Sequence, residues 1–76
     1  RFVFNRDLYY GMTNNDVKEL QKRLGVTPTT GFFGNLTLQA VIKYQNSIPS
    51  LKLAISIFGG SGRVGPLTRK NLNLSI

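Results

Sequence analysis

Two short stretches, GFFGNLT at residues 31–37 and GRVGPLT at residues 62–68, follow the same frame. Each reads glycine, any residue, an apolar residue, glycine, any residue, leucine and threonine. A chain of 76 residues that repeats such a frame contains two related structural units. Glycine marks a turn, and helix-compatible residues follow it, so each copy predicts a loop that leads into a helix.

The second glycine of each copy, Gly34 or Gly65, is expected to adopt a backbone conformation that favours glycine and turns the chain sharply. The next residue begins the helix, and Pro66 suits this position because its missing N–H needs no partner there. Thr37 and Thr68 then fall in the first turn, where a hydroxyl can bond exposed N–H groups or face a ligand. The apolar residues of both copies are expected to be buried: Phe33, Leu36, Val64 and Leu67.

The clearest helix is predicted from TNNDVKELQKRLG at residues 13–25. Thr13 resembles an N-cap, and Asp16 stands three residues later, as in a capping box. Gly25 suits a left-handed C-terminal cap. Apolar residues recur at helical spacing and define one buried face: Val17, Leu20 and Leu24.

The remaining elements are predicted from periodicity and from proline. A second helix is expected over residues 35–47, with Pro49 just past its end. Residues 50–58 alternate apolar with small or polar side chains, which favours an extended segment that pairs with the N-terminal residues. A third, short helix begins near Pro66, with Leu72 facing inward. The expected fold class is therefore all-α: a small three-helix bundle with extended N-terminal and inter-helix segments.

The composition argues against catalysis and metal binding. The chain has no cysteine and no histidine, which removes common zinc ligands and the commonest general base. Its three carboxylates belong to Asp7, Asp16 and Glu19. We expect Asp16 to serve the helix cap and Glu19 to pair with Arg23. We therefore expect no catalytic residue, no metal site and no cofactor, and a single domain over residues 1–76, a monomeric module of a larger protein.

The charge balance favours polyanionic partners. Ten lysine and arginine residues against three acidic ones give a net charge of +7. Such a charge suits nucleic acid, an anionic membrane surface or an anionic cell-wall polymer, although solubility alone also accounts for it. No apolar run approaches the roughly 20 residues that span a membrane, so membrane insertion is not expected. The basic residues form no ladder with aromatic ones, so nucleic acid is not expected as a partner.

Three segments of the chain, GMTNNDVKELQKRLGV, GFFGNLTLQAVIKYQ and GRVGPLTRKNL, resemble the bacterial peptidoglycan-binding domain of the type-1 family. Together they cover most of the chain, in the order in which the family has them. The chain departs from the family pattern at Asn14, which replaces a glycine, and at Thr29 and Thr30, where an aspartate is common. The connection from Gln45 to Gly62 is also longer than usual. The matching residues are Val17, Leu20, Gln21, Leu24, Gly31, Phe33, Gly34, Thr37, Ala40, Val41, Tyr44 (for the usual Phe), Gln45, Gly62, Val64, Gly65, Pro66, Thr68 and Leu72.

The resemblance implies a non-catalytic three-helix module that binds cell-wall peptidoglycan and anchors an attached wall-active enzyme. Its partners would be the glycan and the stem peptide of the wall. It implies an extracytoplasmic location, either secreted or associated with the cell wall. The alternative is a protein-docking or prodomain-like module on the same fold, and a basic nucleic-acid-binding domain comes third.

A candidate ligand site is expected beside the two helix starts of the repeat. Helix N-termini present free N–H groups to anions, and glycines let a ligand approach the backbone closely. Arg63 offers a planar fork for a stem-peptide carboxylate. Phe33 takes the apolar position of the frame, so Phe32 either faces outward, toward a ligand, or packs on the long connection that follows Gln45. The candidate ligand-binding residues are Phe32, Asn35, Thr37, Arg63 and Thr68.

Overall fold

The computed structural model describes residues 2–74, and this part of the chain is all-helical. It contains no strand, only two isolated antiparallel bridges, Leu8 with Val64 and Thr13 with Phe32. The prediction of an all-α fold is confirmed, but the described residues form four helices rather than three. These are α1 (Asn15–Leu24), α2 (Asn35–Ser47), α3 (Pro49–Phe58) and α4 (Pro66–Leu74).

Helix α1 lies where the sequence places it, but its N-cap is Asn14 rather than Thr13. The Asn14 side chain accepts a hydrogen bond from the Val17 N–H at 2.9 Å, which satisfies one of the open donors of the first turn. Asp16 is bonded to Arg6 instead of completing a capping box. Gly25 ends the helix with φ 73°, the predicted left-handed cap.

Helix α3 corrects the prediction of an extended segment over residues 50–58. Ile48 has extended backbone angles and separates α2 from α3, and Pro49 occupies the first turn of the new helix. Apolar residues fill so many positions here that both a period of two and a helical period fit them. The structure follows the helical one: Leu51 is buried, while Leu53 and Ile57, which an alternating strand would also bury, are exposed.

The main core joins the N-terminal segment to three of the helices. Residues 2–13 form no helix, yet they pack across α1, α2 and α4. The backbone of Phe4 exchanges two hydrogen bonds of 2.8 Å with the Asn73 side chain of α4. Helix α3 contributes no residue to this cluster among those described. The buried core residues are Phe4, Leu8, Val17, Leu20, Phe33, Val41, Val64 and Leu72.

Only two of the four apolar residues of the repeat are buried as predicted. Phe33 and Val64, the residues before the second glycines, are fully buried. Leu36 and Leu67 are exposed, at 67% and 52%, so the expectation that both would be buried is wrong. The threonine one position later points inward in their place, because only one side of the first helical turn faces the core.

Candidate functional site

Gln21, on the buried face of α1, organises the first copy of the repeat. Its side-chain oxygen accepts a hydrogen bond from the Gly31 N–H at 2.9 Å. Its amide nitrogen donates to the Phe32 carbonyl and to the Thr37 hydroxyl, both at 3.0 Å, with the Thr30 hydroxyl at 3.4 Å. One buried side chain thus ties the loop to the first turn of α2, and both ends of the amide are satisfied.

Gln45 of α2 repeats the arrangement for the second copy. Its oxygen accepts from the Gly62 N–H at 2.8 Å, and its nitrogen donates to the Arg63 carbonyl at 2.9 Å and to the Thr68 hydroxyl at 3.2 Å. The Gly60 carbonyl lies 3.3 Å from the same nitrogen. Corresponding atoms of the two copies therefore make the same bonds. We call these the first unit (Gln21 with residues 31–37) and the second unit (Gln45 with residues 62–68).

These networks show what the repeated frame does. A glutamine of an earlier helix, on α1 or α2, bonds the first glycine, the residue after it and the threonine of each copy. The frame therefore specifies how a loop is fixed to that earlier helix and to the helix that begins within the frame. The glutamine stands 10 positions before its glycine in the first unit and 17 in the second. The longer connection accommodates α3 without changing the bonds.

The glycines of the repeat have different roles from those predicted. Gly34 has φ −104°, and Gly65 also lies outside the left-handed region, so the expectation of a special conformation at the second glycine is wrong. The first glycines have it instead, with φ 83° at Gly31 and 80° at Gly62. A Cβ at Gly34 would lie 2.9 Å from the Phe32 ring, which is half exposed and can shift to make room.

Three of the five candidate residues line a pocket of about 260 Å³ at the start of α2. Phe32 is 48% exposed, and Asn35 is also exposed. Thr37 is buried, with its hydroxyl bonded to Gln21. No side chain caps the N-terminus of α2, so the first N–H groups of this helix remain open. We call this the α2 pocket; its other lining residues are Gln21, Val26, Pro28, Thr30, Gly34 and Leu36.

The other two candidates line a different pocket, of about 460 Å³, beside the start of α4. Thr68 is buried and bonded to Gln45. Arg63 is exposed, but it donates to the Asp7 carboxylate at 3.0 Å and its guanidinium lies 5.2 Å from the centre of the Tyr9 ring. The five residues thus form two groups, at the starts of two different helices, and the two threonines serve the frame of their units.

Each carboxylate of the chain is held by a basic side chain. Asp16 pairs with Arg6, and Glu19 with Lys22 at 3.4 Å. Asp7 lies 3.0 Å from Arg63 and 3.1 Å from Arg69 Nε. The Arg69 contact lacks hydrogen-bond alignment, so its attraction is mainly Coulombic. Within residues 2–74, no three acidic side chains come together as a metal site would require.

The sequence interpretation predicted none of the hydrogen bonds that Gln21 and Gln45 make with the two loops. A signal was present: a glutamine occupies a buried helical position ahead of each copy of the frame. Buried glutamines require partners, and the loops supply them. The α3 surface was also missed, because the segment was predicted to be extended.

No described helix combines the length and apolar character needed to cross a membrane. A scan of protein-family models finds no match to the chain, and searches of curated proteins and of solved structures find none either.

Proposed function

We propose that the chain is a non-catalytic module that binds bacterial cell-wall peptidoglycan, with the α2 pocket as the site of contact. Its place would be outside the cytoplasm, where it holds an attached wall-active enzyme against its polymer. In this proposal α1, α2 and α4 are the three-helix bundle that the resemblance implies, and α3 is an addition within the long second connection.

The observation that carries the proposal is the structural role of the residues on which the family resemblance rests. Gln21, Gly31 and Thr37 form one hydrogen-bonded frame, and the corresponding residues Gln45, Gly62 and Thr68 form the other. A chance likeness of short motifs would leave such residues scattered over the surface. Here the glutamine and the threonine of the motifs have the same structural task in both units, which supports a common structural basis for the motifs that carry the resemblance.

The chemistry of the α2 pocket suits the wall polymer. Phe32 offers an exposed aromatic face to the apolar side of a sugar ring, and Asn35 offers both a donor and an acceptor to N-acetyl or peptide amides. The open N–H groups of α2 favour a carboxylate, such as those of the lactyl ether or stem peptide. Apolar walls with a few convergent polar groups are typical of small-ligand sites.

A sedimentation assay with purified insoluble peptidoglycan tests the proposal. The protein should co-sediment with the wall, and Phe32→Ala should weaken binding about tenfold, or about 1.4 kcal/mol, as expected for a central aromatic contact. Phe58→Ala is the matched control, since Phe58 is 80% exposed but lines the other pocket. It should bind like the parent.

Two results would contradict the proposal. If the folded protein remains in the supernatant at all wall concentrations, the proposed function is wrong. Alternatively, Phe58→Ala could weaken binding as much as Phe32→Ala, in which case the wall polymer binds elsewhere or adheres without a defined site. Circular dichroism of each variant establishes that it is folded before binding is compared.

A further inference from the structure

Helix α3 is apolar on almost every side, although it lies at the surface. Its sequence, PSLKLAISIF, contains one charged residue, Lys52. Phe58 is 80% exposed and Leu53 62%, and Ile57 is also exposed. A helix that is apolar all round is normally covered on more than one side. Among helix pairs, α3 packs mainly on α2, which leaves much of its apolar surface uncovered.

An apolar groove runs between α3 and α4, and the exposed Leu53 and Ile57 do not line it. Two pockets of about 460 and 290 Å³ adjoin there, because both are lined by Leu51, Ala54 and Leu67. Phe58 lies at one end, and Leu74, which is also exposed, lies at the other. The ten residues of α3 give the groove a length of about 15 Å, which matches three turns of a bound helix.

The charges at the two ends of the groove are basic. At the Phe58 end, Asp7 is the one carboxylate and is shared between Arg63 and Arg69, so one positive charge remains uncompensated. At the other end, Lys70 lines the groove. No ion pair of Lys70 occurs within the described part of the chain. An occupant with acidic residues at both ends would therefore be electrostatically complementary.

We propose that this α3–α4 groove binds a short amphipathic helix of a partner protein, with an apolar face flanked by acidic residues. Its apolar side chains, at positions i, i+3, i+4 and i+7, would cover Ala54, Phe58 and Leu67, as in other helix-in-groove complexes. A second copy of this chain is disfavoured, because each copy carries a net charge of +7 and the grooves would bring basic ends together. The groove is separate from the α2 pocket, so the proposal goes beyond wall binding.

Fluorescence anisotropy with a pair of synthetic peptides tests the proposal. The probe is a labelled helical peptide of about 12 residues, matched to the groove length, with leucines at helical spacing and glutamates at both ends. The second peptide replaces each glutamate with lysine. We expect saturable binding of the acidic peptide and at least tenfold weaker binding of the basic one. Equal binding of the two peptides, or no binding of either, would overturn the proposal.

Variants locate the binding and control for surface hydrophobicity. Leu67→Glu should weaken binding of the acidic peptide at least tenfold, because the substitution places a carboxylate in the groove. Leu53→Glu makes the same change at a similarly exposed residue outside the groove lining, and should have little effect. An equal loss of peptide affinity from both substitutions would contradict a binding site in the groove. If Leu67→Glu fails to fold, Lys70→Glu serves instead, with Lys18→Glu of α1 as its control.

Two further measurements test the alternative occupants of the groove, a second copy of this chain and an anionic membrane surface. Sedimentation equilibrium of the parent protein should show a monomer, and a dimer that Leu67→Glu dissociates would assign the groove to a second copy. Vesicles of phosphatidylglycerol should not displace the acidic peptide. Displacement by vesicles would point to an anionic membrane surface and overturn the proposal. Wall binding, measured by sedimentation, is independent of all these results.

Discussion

The first and second units have the same internal bonds but different surroundings. In both, a buried glutamine accepts from the first glycine and donates to the following carbonyl and to the threonine. Outside this frame, the first unit carries the exposed Phe32 and an uncharged pocket. The second unit carries Arg63, which is bound to Asp7, and an apolar groove formed with α3.

The difference separates what the repeated frame specifies from what it leaves free. The frame sets the path of a loop between two helices, and it tolerates connections of very different length. The residues that fill its variable positions set the surface chemistry of each unit. Two copies of one frame can therefore present two unrelated surfaces, and the location of a binding site has to be inferred from the variable positions.

The largest effect is expected at the glutamines. Gln21→Leu and Gln45→Leu each leave a buried N–H, a carbonyl and a hydroxyl without partners, so each should lower the free energy of unfolding by about 3 kcal/mol. That is a large share of the stability of so small a domain. Urea denaturation measures it, with Gln39→Leu on the exposed side of α2 as the matched control. A glutamine variant that is as stable as the control would contradict the stabilising role assigned to that glutamine in its unit.

A smaller effect is expected at the glycines and separates the first glycine of each unit from the second. Gly62→Ala should cost about 2 kcal/mol, since φ is positive and the new Cβ would lie 2.5 Å from Leu38 Cδ1. Gly31→Ala should cost about 1 kcal/mol, for its positive φ. Gly65→Ala meets no atom within 4 Å and should change stability by less than about 0.5 kcal/mol. Thermal or urea melts that rank Gly65→Ala as the most damaging would contradict this account.

The local signals of the sequence predicted α1, α2 and α4, together with the buried Phe33, and left open whether Phe32 would face outward. These elements could be predicted because caps, periodicity and turn residues agree there. The hydrogen bonds of Gln45 could not be predicted from such local signals, since its partner Gly62 is 17 positions away. The Arg63–Asp7 pair spans 56 positions and depends on how the N-terminal segment folds back.

Helix α3 and the inward turn of the threonines were missed for a different reason. Leu51, Leu53 and Ile57 satisfy both a strand pattern and a helix pattern, and only their burial in the folded chain distinguishes the two. Likewise, Thr37 is buried in preference to the neighbouring Leu36 because Gln21 needs a hydroxyl partner. Such a choice depends on a contact between helices, which hydropathy alone does not reveal.

The smallest expected effect is that of salt on wall binding, and it sharpens the contrast between the two units. Within residues 2–74, no charged side chain lines the α2 pocket, so only the net charge of the chain assists binding there. Raising the ionic strength from low to physiological should weaken co-sedimentation a few-fold and not abolish it. A loss of all binding over this range would indicate adhesion through charge alone, or a site at the basic second unit.

The most direct test of wall binding at the first unit is an NMR titration of the isotope-labelled protein with soluble muropeptides. The account predicts that the backbone amides of Phe32, Gly34 and Asn35 shift most, while those of Arg63 and Thr68 in the second unit change little. Shifts centred on the second unit, or on the α1 surface around Lys18 and Lys22, would contradict the proposed site. No shift at any amide at saturating muropeptide would contradict the proposed function.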